Sequence, residues 1–99
     1  MGKLVRDKVP EIIEASGREP IYRILSTSEY REELYTKLKE EIDELCTNRN
    51  SEEFADVLEV LKALYHSDPT RYDEVFIKHT RKDKERGSFY RKVYLEGIK

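Results

Sequence analysis

The chain has 99 residues, of which 37% are hydrophobic and 40% are charged. This length suits a single domain spanning residues 1–99, and the balance of 19 basic and 21 acidic residues excludes a polybasic nucleic-acid binder and an acidic tail. Because the apolar fraction is low for the surface it must cover, we expect an oligomer that buries apolar surface between subunits.

The first elements along the chain are short. Pro10 fits the first turn of a brief helix that runs to about Ser16, and Gly17 fits its end. Pro20 precedes an apolar run, 21–25, that predicts an extended segment or a lone strand.

Two longer helices follow. Ser26 or Ser28 caps a predicted helix to about Cys46, and Glu29 stands where a capping box requires it. Asn50 and Glu53 form a second such pair and open a helix from Ser51 to about His66. The short link between these helices predicts antiparallel neighbours, so the fold class is an all-α antiparallel bundle of about four helices.

The last third of the chain predicts one further helix and a tail. Asp68 and Pro69 fit a cap and a first helical turn, with the helix running to about Glu85 and ending at Gly87. On it, His79 projects with apolar neighbours and is predicted to pack. The tail, 88–99, is apolar enough that we expect it to pack on the body or on a partner subunit.

Four carboxylates lie on or near the apolar faces of the two long helices. At about 100° per residue, Glu41 projects within about 20° of Leu34, and Glu44 lies about 60° further round. On the next helix Glu53 falls inside the apolar face, with Asp56 just outside it. Since unpaired carboxylates repel and resist desolvation, the pattern predicts a cation site for Mg²⁺, with Mn²⁺ as the alternative. The alternative is chance: a glutamate can snorkel from an apolar stripe or pair with lysine.

The same residues carry a family resemblance. Glu40-Glu41-x-x-Glu44 followed by Glu53-x-x-Asp56 resembles the EExxE…ExxD signature of the MazG-like nucleotide pyrophosphohydrolases, an all-α superfamily that includes phosphoribosyl-ATP pyrophosphohydrolase. The opening Lys3 to Pro10 and the closing Lys84 to Phe89 extend the likeness to compact members described as phosphoribosyl-ATP pyrophosphohydrolase-like.

The resemblance implies a homodimeric or homotetrameric hydrolase that cleaves a nucleoside triphosphate between its α and β phosphates. It implies that Glu41, Glu44, Glu53 and Asp56 hold Mg²⁺, with Glu40 and Glu41 as catalytic candidates. By its projection, Glu40 lies toward the solvent side of its helix, where an ordinary surface glutamate is the simpler interpretation. For the phosphates we favour six cations near the two ends of the chain: Lys3, Arg6, Lys8, Lys82, Lys84 and Arg86.

Two alternatives stay open. A phosphoribosyl-ATP pyrophosphohydrolase of histidine biosynthesis shares the metal site and the bond cleaved, and a non-catalytic helical module would bind a nucleotide, a metal or a protein without turnover. No membrane partner and no nucleic-acid polymer is expected, because the chain has neither an apolar span nor a basic excess. A single cysteine, Cys46, and the absence of a secretory signal favour the cytoplasm, with the thiol buried or half-buried.

Overall fold

A computed structural model describes residues 2–99, and the predicted all-α class is confirmed for that range. It contains five helices and no strand: α1 (Val9–Ala15), α2 (Thr27–Asn48), α3 (Ser51–Ser67), α4 (Pro69–Tyr72) and α5 (Val75–Arg86). The chain divides into two compact units, one that ends at Asp68 and one from Pro69 to Lys99. In the described range no helix combines the length and the apolar character that a membrane crossing requires.

The first long helix, α2, begins at the predicted capping box. Ser26 Oγ accepts a hydrogen bond from the Glu29 backbone N–H at 3.2 Å, and the Ser26 N–H donates to Glu29 Oε1 at 3.3 Å. Both bonds satisfy backbone N–H groups that the start of a helix leaves without a partner. The helix runs two residues beyond the predicted end and stops where Arg49 adopts the left-handed conformation, at φ 52°.

The second long helix, α3, begins at the predicted cap, Asn50, whose Oδ1 accepts from the Glu53 N–H at 2.9 Å. The Glu53 carboxylate accepts from Asn48 Nδ2 at 3.1 Å, so this side chain is held by the last residue of α2. The helix ends at Ser67, because Asp68 precedes a proline and leaves the helical region at φ −142°.

Helices α2 and α3 form an antiparallel hairpin, as the short link predicts. At the open end, Arg31 near the start of α2 donates two hydrogen bonds to the carbonyl of Ser67 at the end of α3, from Nε at 3.1 Å and from a terminal nitrogen at 2.7 Å. The buried apolar core of the described residues lies between the two helices and consists of Leu34, Val57, Val60 and Leu64. The hairpin thus supplies the rigid frame for the carboxylates.

The N-terminal segment differs in detail from the prediction. Helix α1 spans Val9–Ala15, and Gly17 follows it at φ 87°, a conformation that glycine adopts without steric cost. No strand forms at 21–25, and Ile21 is 99% exposed. An isolated strand has no partner for its backbone groups, which is why this apolar run stays irregular.

The second unit corrects two predictions. The single helix predicted from Pro69 to about Glu85 is two helices, with Asp73 and Glu74 between them in a turn. Aspartate competes for backbone hydrogen bonds in turns, and α4 has no buried residue to hold it against that preference. His79, predicted to pack, has a side chain that is 70% exposed, and its Nε2 lies 3.6 Å from Asp83 Oδ2.

The large apolar side chains of the tail, 88–99, are exposed. Packing of the tail on the body or on a partner subunit stays a prediction. These side chains are Phe89, Tyr90, Val93, Tyr94, Leu95 and Ile98. Apolar composition predicts that a segment packs against another surface, but it does not specify which surface that is.

Candidate metal centre

Three of the four predicted metal ligands meet at one point of the hairpin. Glu41 of α2 and Glu53 and Asp56 of α3 each offer a carboxylate oxygen, and these oxygens lie within 4.8 Å of one another. The cap at Asn50 fixes the first turn of α3 and therefore the position of Glu53 along the helix axis. Asp56 lies about one turn further along α3. The spacing within α3 and the antiparallel packing together create the cluster.

Two oxygens of this cluster are buried without a partner. Glu41 is only 7% exposed, and the Oε2 atoms of Glu41 and Glu53 have no hydrogen-bond partner among the described residues. A buried carboxylate oxygen without a partner costs free energy, so a folded chain keeps one only when something offsets that cost. Oxygen donors of this kind suit a hard divalent cation such as Mg²⁺.

Glu44, the fourth predicted ligand, is half-buried and lies outside the group of three. Repulsion from Glu41 raises the pKa of Glu44, and burial and its proximity to Glu53 act in the same direction. Glu44 therefore adjoins the cluster, as its position one turn after Glu41 predicts.

Lys37 is a site residue that the sequence reasoning missed. Its Nζ lies 3.3 Å from Glu41 Oε1 and 3.4 Å from Glu40 Oε1. Partial burial lowers the pKa of Lys37, but the bonds and charges of Glu41 and Glu40 outweigh this, so its pKa lies above the ordinary value. The sequence separation could have predicted these contacts. Lys37 precedes the two glutamates by three and four residues, the separations at which side chains on a helix meet.

Glu40, the proposed catalytic carboxylate, is partly exposed. Its side chain is 39% exposed and contacts Lys37. It therefore lies at the rim of the cluster, on the solvent side that its helical projection predicts, where its carboxylate can reach water.

Arg6 is the predicted phosphate-binding residue that reaches the cluster. One of its terminal nitrogens lies 2.7 Å from Asp56 Oδ1, and the two side chains are 60% and 40% exposed. Exposed pairs of this kind stabilise a fold weakly, so the arginine is free to exchange Asp56 for another anion. Lys3 and Lys8 are exposed in the same N-terminal stretch.

The other predicted phosphate-binding cations lie on the second unit. Lys82, Lys84 and Arg86 are exposed on α5, which ends at Gly87 as predicted. Their role toward a phosphate stays a prediction.

The charges of the cluster are unbalanced. Three carboxylates lie together with Glu44 close to two of them, and two cations, Lys37 and Arg6, pair with members of the group. An excess of negative charge remains at a half-buried position, where water screens it incompletely. This is the electrostatic condition under which a divalent cation binds.

The comparisons with known proteins found a relative that matches part of the chain. A 45-residue stretch is 56% identical to an uncharacterized protein of Mycolicibacterium smegmatis (strain ATCC 700084 / mc(2)155). The match covers 46% of this chain and 46% of that protein, so it spans about half the length of the relative. No family model matches the chain, and no solved structure matches it.

Proposed function

We propose that this chain is a Mg²⁺-dependent nucleotide pyrophosphohydrolase, which cleaves a nucleoside triphosphate between the α and β phosphates to give a nucleoside monophosphate and pyrophosphate. The observation that carries the proposal is the carboxylate cluster of Glu41, Glu53 and Asp56, with a buried, unpartnered oxygen on Glu41. The resemblance of the EExxE…ExxD spacing to MazG-like enzymes supports the choice of reaction.

Different residues of the chain would have different roles in this reaction. Glu41, Glu44, Glu53 and Asp56 would hold Mg²⁺, which, when bound, neutralises charge on the phosphate oxygens. Mn²⁺ would suit the same oxygen donors. Glu40 lies at the rim, where its carboxylate would take a proton from an attacking water. Lys37 lies between Glu40 and Glu41 and would hold both carboxylates in place.

Arg6 would bind the departing phosphates. Its guanidinium already lies at the cluster on Asp56 and is exposed enough to turn toward a ligand. A guanidinium matches the geometry of phosphate oxygens and carries a permanent charge. Lys3 and Lys8 are exposed close to it in sequence and would add to the positive potential around the nucleotide.

A cytoplasmic enzyme that works as a homodimer or homotetramer is part of the proposal. One cysteine in 99 residues and the apolar side chains left exposed support it.

The test is a substrate screen with the full chain. Each nucleoside triphosphate, and phosphoribosyl-ATP, is incubated with MgCl₂ or with a chelator, and pyrophosphate and orthophosphate are measured separately. We expect pyrophosphate release that requires the metal. Glu41→Gln should lose it, whereas the matched control Glu32→Gln, on the exposed face of the same helix, should keep it.

Each other outcome rejects part of the proposal. Preference for phosphoribosyl-ATP would reassign the substrate and keep the bond cleaved. Orthophosphate as the product would reject the position of cleavage. No turnover of any substrate by folded, Mg²⁺-binding protein would leave the binding-module alternative, and no Mg²⁺ binding would reject the metal site itself.

A further inference from the structure

Two glutamates of the metal centre are each held by one oxygen. Lys37 Nζ lies 3.3 Å from Glu41 Oε1, and Asn48 Nδ2 donates to Glu53 Oε1 at 3.1 Å. The second oxygen of each glutamate, Oε2, is buried and has no hydrogen-bond partner among the described residues. One oxygen of each side chain is therefore fixed by the protein, and the other is left for a ligand.

Both donors belong to one polar row on α2. The row consists of Lys37, Glu41, Glu44 and Asn48. Separations of four, three and four residues place these side chains within about 60° of one another around the helix. The two carboxylates occupy the middle of the row, and a donor lies at each end. Lys37 contacts a carboxylate of its own helix, whereas Asn48 binds a carboxylate that α3 supplies.

The bond from Asn48 acts on the side chain of Glu53 and not on its backbone. Asn48 is the last residue of α2, and Glu53 lies in the first turn of α3. The Glu53 N–H already donates to Asn50 Oδ1 at 2.9 Å, so the start of α3 is fixed without Asn48. The bond from Asn48 therefore sets the direction of the Glu53 carboxylate.

The donor at this end of the row is neutral. A side-chain amide donates a hydrogen bond to a carboxylate oxygen without adding a positive charge. Lys37 and Arg6, by contrast, each lower the net negative charge of the cluster that they contact. An amide at position 48 thus orients Glu53 and preserves the charge with which Glu53 would attract a divalent cation.

We propose that Asn48 is a positioning residue of the metal centre, whose amide binds Oε1 of Glu53 and thereby turns Oε2 toward the cation. The inference rests on the proposed function, because it needs the Mg²⁺ site, and it adds a residue that lies outside the EExxE…ExxD spacing. A ligand that is already oriented by a hydrogen bond loses less freedom when a metal binds, so the amide of Asn48 raises the affinity of the site.

The experiment titrates the purified full chain with MgCl₂ in a calorimeter and compares Asn48→Ala with the wild type. We expect the dissociation constant for Mg²⁺ to rise about tenfold or more, the usual effect of removing a hydrogen-bond partner of a metal ligand. The matched control is Thr47→Ala, because the Thr47 hydroxyl donates to the Asp43 carbonyl at 2.9 Å in the same last turn of α2. This control should leave the dissociation constant unchanged.

A second measurement separates positioning from a structural role. Urea denaturation in chelator compares the stability of the two variants without metal, since each has lost one hydrogen bond at the end of α2. We expect similar small changes of the denaturation midpoint in both variants and a loss of Mg²⁺ affinity in Asn48→Ala alone. A lower midpoint for Asn48→Ala with unchanged Mg²⁺ affinity would show that Asn48 is only structural and would overturn the proposal.

The titration also distinguishes this inference from the proposed function. A folded wild type that does not bind Mg²⁺ would reject both, whereas equal binding by the wild type and Asn48→Ala would reject the inference alone. Circular dichroism checks that each variant is helical. If Asn48→Ala loses its helical signal, Asn48→Leu replaces it, because leucine has a similar shape and no amide. The same rise of the dissociation constant is then expected, and an unchanged value is the contrary result.

Discussion

Glu41 is the buried charged residue of the described range, and its Oε2 has no hydrogen-bond partner there. Glu41→Gln keeps the size of the side chain and an acceptor for Lys37 while removing the repulsion with Glu44 and Glu53. We expect the free energy of unfolding in chelator to rise by about 1 to 3 kcal/mol. Urea denaturation with and without MgCl₂ measures it, and the stabilisation by Mg²⁺ should disappear.

The control for this prediction is Glu32→Gln, an exposed position on the same helix. Its free energy of unfolding should stay within about 0.5 kcal/mol of the wild type. A destabilised Glu41→Gln variant would show that the contact with Lys37 outweighs the cost of burial.

Arg6 lies 2.7 Å from Asp56 Oδ1, an oxygen that the proposed Mg²⁺ site would use. Arg6→Gln should therefore tighten Mg²⁺ binding by up to about fivefold, the value of an exposed ion pair. It should also raise the KM for the nucleotide, because the phosphates lose a cation. Calorimetry measures the first effect and steady-state kinetics the second, with Arg18→Gln, an exposed cation outside the proposed site, as the control for general loss of positive charge.

If Arg6 has only a structural role, the result will be different. Mg²⁺ affinity and KM would then stay unchanged, and only the free energy of unfolding would fall.

The start of α2 contains a carboxyl group with an unusually low pKa. The hydrogen bond from Arg23 at 2.9 Å and those from Ser26 lower the pKa of Glu29 to about 2. The charged form is thus favoured in the folded state, so this contribution to stability is present above the unfolded value of 4.5 and is lost as the pH falls toward about 2. An NMR titration of the Glu29 carboxyl should show a midpoint near 2.

The largest cause of that shift can be removed. In Arg23→Gln the midpoint of Glu29 should move up toward 4.5 but stay below it, since the bonds to Ser26 remain. Arg18→Gln, at an exposed position earlier in the chain, should not move it. An unmoved midpoint in Arg23→Gln would assign the shift to the capping box alone.

At the scale of the element, the cap of α3 controls both stability and the site. Asn50→Ala removes the acceptor of the Glu53 N–H, so the free energy of unfolding should fall by about 1 kcal/mol. Mg²⁺ affinity should fall as well, because the first turn of α3 holds Glu53. Thermal denaturation and Mg²⁺ titration measure the two effects, and Ser51→Ala, the exposed neighbour, is the control.

A loss of stability without a loss of Mg²⁺ affinity would separate the cap from the metal centre. Glu53 would then be held in place by its bond from Asn48 alone.

The elements whose signals are local were predicted well. Ser26 with Glu29 and Asn50 with Glu53 are read directly from neighbouring residues, and both caps form. Helical projection places Glu41 and Glu53 on the buried side for the same reason, because the angle between two residues on a helix depends only on their separation. Lys37 was not predicted, because the helical projection related the carboxylates to the apolar stripe and not to the cations one turn before them.

Predictions that depended on contacts distant in sequence did less well. The side chain of His79 needed a surface to pack on, and the sequence contains no information about which surface that is. The break at Asp73 has a different cause, since a single four-residue helix without buried residues yields to turn-forming side chains.

For the whole molecule, the uneven distribution of buried residues predicts uneven local stability. Helices α2 and α3 contain the buried residues of the described range, whereas α1 and α5 contain none. Native-state hydrogen exchange should therefore be slowest in α2 and α3, and at least about tenfold faster in α1 and α5. Mass spectrometry of exchanged peptides measures it.

Equal protection in α5 would contradict this prediction. It would require that α5 be covered in solution, and repeating the exchange over a range of protein concentrations would show whether self-association covers it.

Cys46 differs from the expectation of a buried or half-buried thiol, since it is exposed on α2. It is also the one cysteine in the sequence. A maleimide fluorophore or a nitroxide can therefore be attached at a single defined position without introducing or removing a residue. That position follows Glu44 by two residues on α2, so one label would report, through its emission or its mobility, on cation binding at the carboxylate cluster.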